Sequence, residues 1–502
     1  MAQPDRYVNA RDYERLTPVH VVWEITLACD LKCHHCGSRA GRRRPDELTT
    51  EECFDLIRQL ARMGTREISL IGGEAYLRRD WLHIVREIRA QGMNCAMQTG
   101  ALHMDEKRVR QAAEAGVQSM GVSIDGLEET HDRLRGVKGS YAAGFEALRL
   151  LRQYGIVSSV NTQITSLVIP QLRELMERFI EAGAKNWQVQ LTVAMGRAAD
   201  NPELLLQPHQ LRELMPLLAE LYREGVERGL LMQPGNNVGY FGPYESLWRG
   251  SGDQSIHWQS CNAGTNTMGI EADGTIKGCP SLTTSPYAGG NVREMSVEDI
   301  WFKAPELSFT RVRTQEDLWG FCRTCYYADV CRAGCTWTTQ VLFGRPGNNP
   351  FCHHRVLELS KRGLRERIER VEPAPGKPFD HGRFELILET EDGRPVADGG
   401  ETDAALNAEP NGRARAHSSL PLGRDSLVQI SSAKKSAFQK VSPHAPEVQQ
   451  LSLCRGCECY VRPDTRLCPH CGGNVRALER AHRKKAREAR EAAEDLLKLI
   501  GM

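Results

Sequence analysis

From residue 19 to about residue 230, short apolar runs alternate with amphipathic stretches. The runs VHVVWEIT (19–26), EISLIGG (67–73), NCAMQT (94–99), SMGVSID (119–125), SSVNTQIT (158–165) and NWQVQLT (186–192) read as strands. Between them the apolar positions fall at helical spacing. TTEECFDLIRQLARMG (49–64) predicts a helix with Thr50 as N-cap and Gly64 as stop, and SYAAGFEALRLLRQYG (140–155) predicts another. Six strand–helix repeats imply a parallel sheet with helical crossovers. The pattern leaves open whether that sheet is doubly wound or curls into a partial barrel. In both, binding groups gather at the C-terminal ends of the strands.

The pattern changes after residue 250. Residues 250–360 are loops with Gly, Pro and seven cysteines, and a helix is predicted over roughly 354–371. Residues 372–450 hold few large apolar side chains. FELIL (384–388), ahead of the turn signal Asp392-Gly393, predicts one hairpin, and most of 398–450 reads as flexible linker. ERAHRKKAREAREAAEDLLKL (479–499) is a charged helix with i,i+4 pairs. The expected divisions are an N-terminal segment (1–18), an α/β core (19–235), a cysteine-rich region (250–371), a linker (372–450), a small cysteine ribbon (451–475) and a terminal helix (476–502).

Composition narrows the class. With 65 basic and 64 acidic residues the net charge is +1, which leaves no whole-chain footprint for nucleic acid or anionic membrane. The N-terminus lacks an apolar signal region, and no run approaches the 18 apolar residues of a spanning helix, so a cytoplasmic protein is expected. Seventeen cysteines is an odd number and cannot pair completely. In a cytosolic chain such cysteines point to metal rather than disulfides. Fourteen of them fall into three groups, leaving Cys53, Cys95 and Cys459.

The first group, Cys29, Cys33 and Cys36, has the spacing C-x3-C-x2-C at the end of the first predicted strand. Three thiolates can hold three irons of a four-iron cluster and leave the fourth open; a zinc knuckle or three unliganded thiols are the plainer alternatives. The last group, Cys454, Cys457, Cys468 and Cys471, forms two CxxC knuckles. Zinc is the default for such a tetrahedral set, a single rubredoxin-like iron is the alternative, and Cys459 could compete as a ligand. The basic run RAHRKKAREAR invites a nucleic-acid reading, which Glu488, Glu491, Glu494 and Asp495 on the same helix discount.

With these features together, residues 19–230 resemble the radical S-adenosylmethionine (SAM) enzymes. The resemblance implies a partial (β/α)6 TIM-like barrel carrying a 4Fe-4S cluster on Cys29, Cys33 and Cys36. Gly72-Gly73-Glu74 matches the family's GGE motif, which holds the methionine end of SAM. Ser123 and Arg135 match the serine and arginine that reach its carboxylate and ribose, with Asp125 a weaker match that could instead cap the turn at Gly126. Gln98 and Thr99 stand where relatives have Thr-Asn-Gly. His35 replaces the usual aromatic before the third cysteine, and Ala75 the common proline after GGE. His35 could stack over the cluster or SAM, and an exposed loop position is the plainer expectation for it. The implied chemistry is reductive cleavage of SAM to a 5′-deoxyadenosyl radical that takes a hydrogen atom from substrate.

The second group resembles the SPASM extension: Cys261, Cys279, Cys322, Cys325, Cys331, Cys335 and Cys352 occur in that order and spacing. The resemblance implies two auxiliary iron–sulfur clusters, one on Cys322, Cys325, Cys331 and Cys352, the other on Cys261, Cys279 and Cys335. The second lacks a fourth cysteine, so an open iron or a non-cysteine ligand is expected there, with His257 a candidate ligand. The implied activity is maturation of a ribosomally made peptide or protein, and within that branch the organisation resembles the group associated with GDL-motif peptides. Implied partners are the precursor and a flavodoxin- or ferredoxin-type electron donor; since only about 18 residues precede the first strand, leader recognition is expected to use the barrel, the C-terminal ribbon or a separate leader-recognition protein. Sulfatase maturation is the enzymatic alternative, against which Pro280 stands where a basic aspartate is expected. Haem-precursor side-chain chemistry is a second alternative, and a non-catalytic iron–sulfur and zinc scaffold a third. The general base is not identifiable.

Overall fold

The computed structural model describes residues 6, 8–249, 257–396 and 450–499. All six expected strands form: β1 (His20–Glu24), β2 (Glu67–Ile71), β3 (Asn94–Thr99), β4 (Ser119–Ser123), β5 (Val157–Ile164) and β6 (Asn186–Leu191). They pair in chain order and all are parallel. A seventh parallel strand, β7 (Leu231–Pro234), adds to β6. Its four residues carry no apolar run, so the pattern did not mark it. Among the described residues β7 does not pair with β1, and the sheet curls into a partial barrel.

On the far side of β1 the sheet runs on into the cysteine-rich region. There β8 (Thr267–Ile270) lies parallel to β1, and β9 (Thr275–Lys277) and β10 (Ala288–Asn291) follow antiparallel. The auxiliary region is therefore an extension of the barrel's own hydrogen-bonded sheet.

Alternate residues of each strand point outward under the helices, where Trp23, Leu70, Met97, Val122, Val160 and Trp187 are all buried. The helix Thr50–Arg62 supplies Cys53, Leu56, Ile57 and Leu60 to that core at i, i+3, i+4 and i+7 spacing. Its cap is Thr49, one residue before the expected Thr50. The Glu52 amide donates to Thr49 Oγ1 at 3.2 Å, and the Thr49 amide to Glu52 Oε2 at 2.7 Å. This capping box contributes about 1 kcal/mol. Cys53 and Cys95 are buried core residues that behave as small hydrophobes.

The helix expected over 354–371 stops at Ser360, and Gly363 at φ +69° turns the chain. The next residues are instead a strand, β11 (Leu364–Glu372), paired antiparallel with β12 (Arg383–Thr390). LRERIERVE has helix-like charge spacing, yet Glu366 and Ile368 are its buried members, two apart, and Glu366 receives Arg355 at 2.7 and 2.6 Å. Part of the expected linker 372–450 is thus a strand. The turn at Asp392-Gly393 forms, with the Gly393 amide donating to Thr390 O at 2.8 Å. Among the described residues it returns the chain to an isolated bridge, Glu389–Pro395, on the edge of β12 away from β11. The rest of that expected linker, 397–449, lies outside the described residues.

After it come β13 (Ser452–Leu453), β14 (Tyr460–Val461) and the helix Val475–Leu499. That helix is laced with i,i+4 ion pairs, Arg483–Glu479 at 2.9 Å and Arg490–Glu494 at 3.1 Å among them. Among the described residues no helix is long and apolar enough to cross a membrane.

Candidate active site

The loop after β1 carries Cys29, Cys33 and Cys36, and its neighbours fix its backbone. The Cys29 amide donates to Gly41 O at 3.1 Å, Lys32 to Arg135 O at 3.0 Å and His34 to Leu134 O at 2.8 Å. Glu47, a residue that sequence reasoning passed over, accepts from Thr26 Oγ1, the Leu27 amide and the Arg44 amide at 2.9, 3.1 and 3.1 Å. Each of the three sulfurs meets a donor: the Leu31 amide at Cys29 (3.4 Å), Arg135 Nη1 at Cys33 (3.7 Å) and the Ala40 amide at Cys36 (3.4 Å). Donors of this kind favour thiolate. Burial pulls the other way, pushing the Cys33 thiol up to about 11 and that of Cys29 higher still. A bound cation would reverse that balance.

Gly72 and Gly73 run alongside this loop, with the Gly73 amide on Thr26 O (2.9 Å) and the Glu74 amide on Ala28 O (2.8 Å). A Cβ at Gly72 would stand 2.3 Å from Thr26 O, and one at Gly73 2.3 Å from Ala28 O. The glycines are therefore required by the cysteine loop itself, before any ligand is considered. Glu74 Oε2 accepts from Thr99 Oγ1 at 2.6 Å and Oε1 from the Gly100 amide at 2.5 Å, tying β2 to β3. Burial raises its carboxyl to about 7, against the pull of those two bonds.

The three cysteines, both glycines, Glu74, Gln98, Thr99, Ser123 and Arg135 all line one cavity of about 420 Å3 at the C-terminal ends of the strands. Gln98 and Thr99 both face it. Asp125 does not reach the cavity surface. It is fully buried, its Oδ1 accepts from the Gln163 amide at 2.8 Å, and its Oδ2 holds Arg135 and, at 2.9 Å, His35 Nε2. Burial would raise the Asp125 carboxyl, but Arg135 and His35 outweigh it and hold it well below the usual range. His35 is thus no exposed loop residue: its side chain is 5% accessible and packs onto Asp125. His131 braces the same group from behind, Nδ1 accepting the Asp125 amide at 2.9 Å.

The inner face of the cavity also carries Asn161 and Gln163 of β5 and Gln188 and Gln190 of β6, which sequence reasoning did not single out. Their signal was present as the alternation N-x-Q and Q-x-Q inside two strand patterns.

The seven later cysteines fall into two sets. Cys325 and Cys331 both feel the charges of Cys322 and Cys352, while Cys335 feels Cys261 and Cys279. Cys322, Cys325, Cys331 and Cys352 face a small apolar cavity together with Tyr240, Phe241 and His354. His257 does not stand free to complete the three-cysteine set. Its Nδ1 donates to Trp258 O at 2.9 Å and its Nε2 accepts the Leu451 amide at 3.2 Å.

The ribbon brings Cys454, Cys457, Cys468 and Cys471 within 4.8 Å of one another, a sphere that suits one ion. Cys459 stays outside that set, its backbone O accepting the Cys454 amide at 2.9 Å. The ribbon docks on the second cysteine region. Tyr327 Oη donates to Tyr460 O at 2.6 Å and meets His470 Nε2 at 2.8 Å, and Arg462 pairs with Asp329 at 2.9 Å.

Comparison with known proteins agrees with this geometry. The profile of the Radical SAM superfamily matches residues 23–182, and that of SPASM, an iron–sulfur cluster-binding domain, matches residues 261–326. An AdoMet-dependent heme synthase of Oleidesulfovibrio alaskensis is 28% identical over 358 residues, covering 67% of this chain and 87% of that protein. Mycofactocin maturase MftC of Mycobacterium ulcerans is 28% identical over 343 residues, covering 67% of this chain and 88% of that protein. The crystal structure of Streptococcus suis SuiB bound to S-adenosylmethionine superposes with TM-score 0.52 at 18% identity, over 64% of this chain and 73% of that one. With the barrel and the sheet-linked cysteine region matched in turn, the chain carries a Radical SAM domain over residues 23–182 and a SPASM iron–sulfur cluster-binding domain over residues 261–326.

Proposed function

We propose that this enzyme reductively cleaves S-adenosylmethionine and uses the resulting radical to modify a side chain of a ribosomally made peptide or protein. Cys29, Cys33 and Cys36 would hold the four-iron cluster, which, once reduced by an electron donor, would supply the electron for SAM cleavage. Gly72, Gly73, Glu74, Gln98 and Ser123 would border the SAM, Arg135 would meet its anionic end, and Asp125 would act by holding Arg135 in place. Cys322, Cys325, Cys331 and Cys352 would hold one auxiliary cluster, Cys261, Cys279 and Cys335 another, and the ribbon cysteines zinc.

One observation carries the choice of substrate. Asn161, Gln163, Gln188 and Gln190 make one wall of the cavity uncharged carboxamide, and each basic side chain facing the cavity is already engaged or neutral. Arg135 and His35 share Asp125, Arg6 pairs with Glu67 at 2.5 Å, and burial lowers His20 to about 3. Such a wall suits the paired donors and acceptors of peptide groups and offers the carboxylates of a porphyrin hydrogen-bond donors but no unengaged cation beyond the SAM site. The 28% identity to a heme synthase favours haem-precursor chemistry as the second reading. Co-expression with any short peptide encoded beside the gene, followed by mass spectrometry, tests the proposal. A mass change that needs Cys29, Cys33 and Cys36 is expected. An unmodified peptide, with SAM-dependent consumption of an iron porphyrin instead, would overturn it.

A further inference from the structure

β5 and β6 present a grid. Their register sets Asn161 beside Gln188 and Gln163 beside Gln190. Thr162, Ile164, Val189 and Leu191 turn to the other face and are buried, so the four carboxamides share the cavity face. A closed barrel fills such positions with branched apolar side chains; this one fills them with neutral groups that each both donate and accept.

Their bonding capacity is largely unspent. Among the described residues the side chains of Gln163, Gln188 and Gln190 make no hydrogen bond. Asn161 Nδ2 donates to Gln98 Oε1, while Asn161 Oδ1 is buried with no partner. The spacing matters as much as the chemistry. Residues two apart on a strand lie about 6.6 Å apart, and neighbouring strands about 4.8 Å. An extended peptide repeats its amide and carbonyl pair on one edge at nearly the same interval, about 6.8 Å.

Resting on the peptide reading above, we propose that this two-by-two carboxamide grid reads the main chain of an extended substrate segment, holding it in register beside the SAM site. Recognition through amide groups selects conformation rather than side-chain charge. The residues flanking the reacting one can therefore vary, and affinity changes little with salt, since no ion pair forms.

The test uses the wild-type holoenzyme and the peptide from the co-expression experiment, with copies carrying a single backbone ester in place of one amide. Each ester removes one donor and leaves every side chain intact. Esters at two positions two residues apart are expected to raise KM about five- to tenfold with kcat kept, and the ester between them is not. In Gln188→Leu or Gln190→Leu, checked for wild-type iron content, the penalty of the facing ester should vanish. A merely structural role for these glutamines would not produce that coupling. A flat ester scan on a peptide that the wild type does modify overturns the grid and leaves the peptide reading standing. Failure of the wild type to modify any peptide overturns both.

Discussion

Two of the molecule's thiol sites use the same side chain for different ends. In the ribbon, four sulfurs converge within 4.8 Å, with Cys454–Cys471 at 3.9 Å and Cys457–Cys468 at 3.7 Å. The set is complete and closed, and no coordination place is left for substrate. In the barrel, three sulfurs stand on one loop at the rim of a cavity of about 420 Å3. The loop is held by β2, by the helix Glu128–Arg135 and by Glu47, so its shape does not depend on a metal in the way a ribbon of this size does. On the proposed reading, what separates a structural from a reactive thiol site is the missing fourth sulfur and the polar cavity beside it.

The largest expected difference comes from deleting the thiols. Changing Cys29, Cys33 and Cys36 together to Ala should abolish 5′-deoxyadenosine formation in an anaerobic assay with SAM and dithionite, yet leave the fold and the auxiliary iron. The same treatment of the ribbon cysteines should instead release the ribbon, seen as proteolysis near residue 450, and leave SAM cleavage measurable. Exchanged outcomes would erase the distinction drawn between the two sites.

Asp125→Asn sharpens the barrel side. The change leaves Arg135 buried without its carboxylate, a loss of about 3–5 kcal/mol in denaturant unfolding together with weaker SAM binding. If SAM affinity stayed at the wild-type value, Asp125 would have no part in placing Arg135.

Acid should act on the barrel through His131. Burial lowers its folded pKa to about 4, below the unfolded value of about 6.5, so the unfolded chain binds the extra proton first. Stability attributable to this residue is full above about pH 6.5 and falls by roughly 1.4 kcal/mol per unit down to about pH 4. Urea unfolding of the apoprotein should show that slope reduced in His131→Asn. An identical slope in the variant would rule His131 out.

The smallest effect belongs to the ribbon's dock. Tyr327→Phe removes the hydroxyl that serves both Tyr460 O and His470, worth about 1 kcal/mol, and should speed proteolytic release of the ribbon slightly without changing SAM cleavage.

The sequence by itself determined the six strands, the grouping of fourteen cysteines and, at the cavity, Gly72, Gly73, Glu74, Gln98, Ser123 and Arg135 beside the first cysteines. These are local properties: period-2 alternation, spacing within one loop, and motifs at strand ends. Tertiary structure decided the rest. LRERIERVE became β11 because β12 was available to pair and Arg355 to take Glu366, which outweighed its helix-like charge spacing. His35 was buried because Asp125, on a different strand's loop, lay opposite it. His257 was spent on Trp258 and on Leu451, 194 residues further along the chain. Asn161, Gln163, Gln188 and Gln190 became one surface only through the register of two strands. Each of these outcomes rests on a partner distant in the chain, and a pattern read along the chain carries no information about which distant groups will meet.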